Sequence, residues 1–356
     1  MCCPAWDTKR ISIAITQAQE ESTMDKTYNV AIIGCGGISH MHAGWYVNEP
    51  RASLTAIADI NAAGLKAYGE QYGVEKQYTD YIEMLETEEI DLVSVCTRPK
   101  LHAPVVIETA KRGVKGILSE KPMAENLGQA REMLETCSQH DVKLAIDHQV
   151  RFSAPYQLAR QMIADGAIGD LFRIHGVCSG GDLKDNATHT VDLMRYVYSD
   201  RSVTWVIGQI ERINTPMKYD LHSEDFSLGY FKFEDNVRAI IEGGSDTAPG
   251  YHHIYCYGTE GELELAAPGG PSLRVRNTAS GCAWIAPELP SESNPVRDMI
   301  AAIEEDREHR SSGYQGYATH ELLMAIYESS RKRRRIHLPL EEMESPLTLM
   351  IEDGWI

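Results

Sequence analysis

Gly34-Cys35-Gly36-Gly37-Ile38-Ser39 lies directly after the apolar run Asn29–Ile33 and opens a stretch with helical spacing. A glycine-rich turn from strand into helix restricts the fold more than any other feature of the chain, because each small residue meets a geometric demand. Gly34 permits the tight turn, Gly36 lets the backbone approach a pyrophosphate, and the third site needs a small residue for close helix–strand packing. Ser39 occupies that third site. Turns are rich in glycine for structural reasons alone, so the order of elements is what adds weight. Strand, loop, helix and a second strand at Leu54–Ala58 are followed by Asp59, where a carboxylate can accept hydrogen bonds from ribose hydroxyls. The helix beginning at Ser39 would offer unpaired N–H groups and positive dipole to the pyrophosphate. No Arg or Lys follows Asp59-Ile60-Asn61 immediately. A doubly charged ribose phosphate would therefore meet like charge there, and NAD is expected to be preferred over NADP.

The rhythm continues through apolar runs at Leu92–Cys96, Gly116–Leu118 and Leu144–Ile146, with helical spacing over Ala62–Tyr72, Ala103–Arg112 and Leu127–Cys137. Alternation of this kind predicts a doubly wound parallel sheet with helices on both faces. After Arg151 the pattern changes to a helix over Tyr156–Ala164, a loop at Gly180–Gly181 and a helix around His189–Tyr198. Strand candidates Val203–Ile213, Phe226–Phe233, Val237–Glu242, His253–Tyr257 and Leu263–Leu265 then follow one another through turns such as Glu234-Asp235-Asn236. Consecutive strands joined by tight turns predict a large, mainly antiparallel sheet. Helices near Val296–Glu305 and Glu321–Lys332 close the chain. The basic run Arg331–Arg335 reads as a solvated helix end favoured by the dipole. The expected fold is thus α/β: an arm over residues 1–27, a Rossmann domain over 28–149, and an α+β domain over 150–356. A length of 356 residues fits two domains better than one core.

A formal charge of −18 argues against nucleic acid and anionic membrane as partners, since both repel acidic surfaces. The eight cysteines form no C-x-x-C pair, so neither zinc nor a disulfide framework is indicated, and reduced thiols in the cytoplasm are expected. Residues 1–27 lack the continuous apolar stretch of a signal peptide, and no run reaches the length of a membrane span.

Lys121 follows the strand at Gly116–Leu118 within Ser119-Glu120-Lys121-Pro122, which puts it at the carboxyl edge of the sheet, where open α/β folds bind ligands. Alone it could be a surface lysine ahead of a helix-starting proline. Asp185, His189 and Asp192 are spaced four and three apart at the start of a predicted helix, near one face. A metal is disfavoured because thiolate or further His ligands at familiar spacing are missing. General acid–base work by an imidazole flanked by acids is the chemical reading; a hydrogen-bonded structural histidine is the plain one.

Taken together, the Gly34–Ser39 loop, Glu120-Lys121-Pro122, Asp185-x-x-x-His189-x-x-Asp192 and the Tyr257-Gly258-Thr259-Glu260-Gly261 turn resemble the glucose–fructose oxidoreductase / inositol dehydrogenase (Gfo/Idh/MocA) family from about Tyr28 to Leu340. The resemblance implies that Lys121 bonds the reacting hydroxyl, His189 removes its proton, and Asp185 holds substrate or imidazole. It also implies cofactor contacts from Gly34, Gly36, Gly37, Ile38, Ser39, Asp59, Thr97, His102, Glu120 and Lys121. Substrate contacts would come from Lys121, Asp185, His189 and Arg151, although an interdomain ion pair suits Arg151 equally well. Two positions depart from the family pattern. Thr97-Arg98-Pro99 stands where Thr-Pro-Asn is common, which puts Arg98 near the cofactor, and Ala187 replaces a usual Gly.

Three functions fit this reading. The first is NAD-dependent oxidation or reduction of a sugar, sugar derivative or inositol, favoured because Lys121 and His189 are both present. The second is a glycoside hydrolase that oxidises the sugar ring transiently, and the third is a ligand-sensing homologue without turnover. Which sugar or polyol is used lies in variable loops that spacing does not read. A sheet with one free face predicts a homo-oligomer, dimer or tetramer.

Overall fold

A computed structural model describes residues 26–215, 217–244 and 250–356; of the expected N-terminal arm only Lys26 and Thr27 fall among them. The first sheet is built from β1 (Tyr28–Ile33), β2 (Ala52–Ala58), β3 (Lys76–Tyr78), β4 (Leu92–Val95), β5 (Gly116–Ser119) and β6 (Lys143–Ile146), in the order β3-β2-β1-β4-β5-β6 with every pair parallel. Between them run α1 (Ser39–Val47), α2 (Ala62–Tyr72), α3 (Tyr81–Thr87), α4 (His102–Ala110) and α5 (Leu127–Gln139). Local chemistry sets these boundaries. Asn61 and Asn126 cap α2 and α5 by accepting from Gly64 N and Gln129 N, and Gly73 ends α2 in the left-handed region at φ 70°. The strands are apolar on both sides because helices cover both faces, giving one core around Ala31, Val93 and Ile117 and another around Val30, Ile32 and Leu118. The sequence reading omitted β3 and α3.

The chain then forms α6 (Ala154–Ala164), β7 (Leu171–Ser179), α7 (Ala187–Val197), β8 (Val203–Glu211), β9 (Met217–Lys218), β10 (Leu221–His222), β11 (Phe226–Phe233), β12 (Arg238–Gly244), β13 (His253–Gly258), β14 (Gly261–Leu265) and β15 (Leu273–Asn277). It ends with α8 (Pro295–Glu304), α9 (Gly313–Lys332), β16 (Ile336–His337) and α10 (Pro346–Glu352). The second sheet has eight strands in the order β15-β14-β13-β7-β12-β11-β8-β16. The pairings are antiparallel except that β7 lies parallel to β12, so the sheet is mainly antiparallel, as expected, with one parallel pair at its centre. β7 sits at its centre and was missed from the sequence, because Arg173, His175 and Gly176 interrupt its apolar run.

One face of this sheet is sealed by α7 and α9. An added Cβ would meet Met194 Sδ at 2.4 Å from Gly176 and the Ile326 side chain at 2.6 Å from Gly229. Val296, Met299 and Ile300 of α8 pack in the core of the first sheet, Ser311 Oγ donates to Ile146 O at 2.6 Å, and Ile146 N donates to Ser311 O at 3.0 Å. The chain thus returns to the Rossmann layer after leaving it, and the segment between α8 and α9 is fastened to the carboxyl end of β6.

Candidate active site

The loop after β1 has the conformation its glycines predict. Gly34 has φ +92°, and an added Cβ would lie 2.7 Å from the Cys96 carbonyl, so only glycine fits. A Cβ on Gly36 or Gly37 would point into open space, which is the room a ligand needs to reach the backbone. Ser39 is buried and its hydroxyl donates to Gly36 O at 2.6 Å, drawing the loop onto the start of α1. Asp59, just past β2, accepts from Cys35 N at 2.7 Å and Asn61 N at 2.7 Å, so its carboxylate is fixed beside the glycine loop. Thr97 Oγ1, past β4, is buried without a partner. These donors, the open cradle and the α1 N-terminus together fit a dinucleotide.

Lys121 projects from the end of β5. Its Nζ donates to Asp185 O at 2.9 Å and to Asp185 Oδ1 at 2.8 Å, joining the two domains. Its backbone N donates to Glu120 Oε2 at 3.0 Å. Glu120 Oε1 lies 3.2 Å from His42 Nε2, which is also 3.2 Å from Asp147 Oδ2, while His42 Nδ1 meets Ser94 Oγ at 2.9 Å. Glu120 therefore braces the lysine from beneath through a buried cluster. His102, too, serves as a brace: its ring nitrogens meet Pro122 O at 2.8 Å and Thr97 O at 3.1 Å, linking the loops after β4 and β5.

Asp185 lies ahead of α7, in a turn held by Asp182 Oδ1, which accepts from Lys184 N at 3.0 Å and Asp185 N at 2.7 Å. Burial alone would raise the Asp185 pKa, but Lys121 and then Lys218 bring it below the ordinary carboxylate value. His189, in the first turn of α7, is 4% exposed. His148 lies edge-on to it with ring centroids 5.5 Å apart, and His252 flanks the other side at 5.3 Å. Burial, then the neighbouring His148, Lys121 and His252, pushes His189 well below its ordinary pKa. His148 and His252 are each lowered to about 4, chiefly by burial. The three imidazoles are neutral at neutral pH.

Asp192 does not touch His189. His148 neighbours both, edge-on to His189 and with Nδ1 3.4 Å from Asp192 Oδ1. Arg151 is fully buried, donating Nη2 to Asp192 Oδ1 at 2.7 Å and lying 2.9 Å from Asp200. It also donates to Arg310 O at 3.1 Å. Its guanidinium is spent on Asp192 and Asp200, which lie in the same part of the chain, so an ion pair within that part stands in place of both the substrate contact and the interdomain pair. Arg98 donates to Asp220 Oδ2 at 2.7 Å, away from Asp59.

Sequence reasoning missed His42, Asp147, His148, Lys218 and His252. Asp147 and His148 carried a local signal, since they follow β6 at the carboxyl edge already singled out for Lys121. The others are brought in by contacts distant in sequence.

Comparison with known proteins agrees with the geometry. Residues 28–148 match the model of an oxidoreductase family with an NAD-binding Rossmann fold, and residues 177–264 match the GFO/IDH/MocA C-terminal domain. D-apiose dehydrogenase of Paraburkholderia graminis is 26% identical, with 94% of this chain and 96% of that protein aligned. Inositol 2-dehydrogenase of Rhizobium meliloti is 26% identical over 88% of this chain and 99% of its own length. A crystal structure of an oxidoreductase from Agrobacterium radiobacter, in complex with NAD+, L-tartaric acid and magnesium, superposes with a TM-score of 0.75. It is 24% identical over 88% of this chain and 98% of that one, a likeness of fold.

Proposed function

Because this chain belongs to the Gfo/Idh/MocA oxidoreductase family, with its NAD-binding Rossmann fold, we propose that it is a dehydrogenase or reductase of a sugar, sugar-derivative or inositol hydroxyl carbon, with NAD preferred over NADP. The observation that carries this reading is the convergence at one cleft of Lys121, fixed on Asp185, with a neutral, buried His189. The names of the apiose and inositol dehydrogenases among its relatives support the substrate class.

Alcohol oxidation removes a proton and a hydride from one H–C–O–H unit, so a base must face the hydroxyl from one side while the acceptor faces the carbon from the other. NAD, held by Gly34, Gly36, Gly37, Ile38, Ser39, Asp59 and Thr97, supplies the hydride acceptor when bound. Lys121 spends two of its three N–H bonds on Asp185 and has one left for the reacting oxygen, where its charge stabilises developing alkoxide. His189, neutral because its surroundings penalise a proton, accepts the hydroxyl proton. Asp185 fixes the ammonium, and Glu120 and His102 hold the loops from which Lys121 and Thr97 project.

The protein acts, on this reading, in the cytoplasm as a homo-oligomer, a dimer or tetramer. Among the described residues no helix is long and apolar enough to cross a membrane. To test the assignment, His189→Ala and Lys121→Ala are compared with wild type. Each should cut turnover by roughly 10²–10⁴-fold while NADH binding, followed by fluorescence, persists. Near wild-type turnover in either variant would remove that residue from the mechanism.

A further inference from the structure

The short hairpin of β9 and β10 leaves the second sheet between β8 and β11 and spans the cleft. Its turn, Tyr219-Asp220, has φ values of 50° and 67°, the twist that suits a two-residue connection. Asp220 meets Arg98, which follows β4 of the dinucleotide-binding sheet. The pair is exposed on both sides and contributes little stability, but it fixes where the hairpin lies. Arg98, the departure from the family pattern, is thereby accounted for as a hairpin anchor.

The hairpin delivers Lys218. Its Nζ donates to Asp185 Oδ2 at 3.0 Å, while Lys121 holds Oδ1 of the same carboxylate at 2.8 Å. Two ammonium groups from different domains thus bracket one carboxylate. Asp182 Oδ2 is 3.7 Å from Lys218 Nζ, too far for a hydrogen bond, so among the described residues Lys218 keeps two N–H bonds unspent. Its side chain is 38% exposed against 15% for Lys121, so solvent and solutes reach it more readily. Tyr251, 54% exposed, stands close by, where Asp185, Lys121 and Lys218 all act on its hydroxyl.

We propose that Lys218 is a specificity-determining residue that donates to a second hydroxyl of the polyol, next to the one that Lys121 and His189 address. The proposal rests on the dehydrogenase reading above. A polyol differs from a simple alcohol by carrying adjacent hydroxyls, and two ammonium groups sharing one carboxylate are placed to grip two such oxygens. The fixed carboxylate sets the spacing of the pair, so hydroxyl configuration is read as well as hydroxyl number.

The test uses the full-length protein with NAD and a panel containing D-apiose, myo-inositol and scyllo-inositol. For the polyol that wild type oxidises, kcat and KM are measured for wild type, Lys218→Met, Lys218→Gln and Lys218→Arg, with NADH fluorescence titration confirming a folded cofactor site. The same set is repeated with monodeoxy analogues lacking a hydroxyl beside the oxidised carbon. Loss of a charged hydrogen bond should raise KM roughly 10- to 100-fold in Lys218→Met and Lys218→Gln, with kcat within about threefold. Lys218→Arg should recover most of the loss. One deoxy analogue should be penalised to a similar extent in wild type and no further in the Lys218→Met variant. Unchanged KM, a fall confined to kcat, or additive penalties for variant and deoxy analogue would each overturn the proposal. If wild type oxidises none of the panel, nor any of a wider set of sugars, sugar derivatives and inositols, the dehydrogenase reading falls and this inference with it. Oxidation by wild type with no effect of Lys218→Met removes the inference alone.

Discussion

His189 lies between His148 and His252, and all three rings feel the Lys121 ammonium. An added proton on any of them would meet burial and like charge together, so the folded protein binds protons there less readily than the unfolded chain does. Two pH effects follow. Because the His189 pKa is depressed, the base stays neutral as pH falls through 6.5, its ordinary value, and kcat/KM should stay level there and drop only below it. An acid limb centred at or above 6.5 would show that a different group limits the rate. For stability, His148 titrates near 4 when folded and near 6.5 when unfolded, so the unfolded state holds more protons between these values. Stability is therefore complete above 6.5 and is lost as pH falls toward 4, by about 3 kcal/mol from His148 alone. A thermal midpoint with the same slope in that window for wild type and His148→Gln would contradict the assignment. At this scale, Lys121, Asp185 and His189 were legible because each lies in a short motif whose spacing carries meaning. His148, His252 and Lys218 were not, since only long-range topology brings them to the motif. Arg151 was legible as important but not as buried.

At the scale of elements, the strand–loop–helix unit from β1 to α1 and the end of β2 form one device. Gly34 turns the chain beneath Cys96, Gly36 and Gly37 leave open space above, and Asp59 is hydrogen-bonded to the loop itself. A carboxylate so placed can accept from both ribose hydroxyls of NAD but faces like charge in NADP. The guanidinium that could have relieved this, Arg98, is engaged by Asp220. NAD should therefore bind tighter than NADP by roughly 2–3 kcal/mol, about 30- to 150-fold, in titrations of the apo-protein. Asp59→Ala should narrow the gap, and equal affinities in wild type would rule this role out. Most helices and the strands β1, β2, β4, β5, β6, β8 and β11 to β14 were readable because apolar spacing is local, whereas the edge strands β3, β15 and β16 and the short helices α3 and α10 were not. The central strand β7 was not, because its core-facing residues include Gly176, chosen for the Met194 side chain that packs on it.

At the scale of the molecule, the chain crosses between its two layers several times, so the cleft is framed from both sides. Lys121 meets Asp185, Arg98 meets Asp220, and Ser311 joins Ile146. The sheet face opposite α7 and α9 carries Trp205, Tyr230 and the partly exposed Ile207 (47%) and Leu228 (37%). An apolar sheet face of this kind is suited to pairing with a second copy. Sedimentation velocity should find a dimer or tetramer that Ile207→Lys with Leu228→Lys converts to monomer; a monomeric wild type would refute the assembly. None of this was visible as geometry in the sequence, which indicated a sheet with a free face but not which residues it shows.

The central claim is net hydride transfer between a sugar or inositol carbon and the nicotinamide, carried by Lys121 and His189. The most direct test incubates the protein with NAD and a panel of sugars, inositols and glycosides, following NADH absorbance and product mass together. Net transfer yields one NADH for each product molecule two hydrogens lighter than its substrate, with both signals lost in His189→Ala. Release of an aglycone from a glycoside at catalytic amounts of NAD, without net NADH, would contradict it.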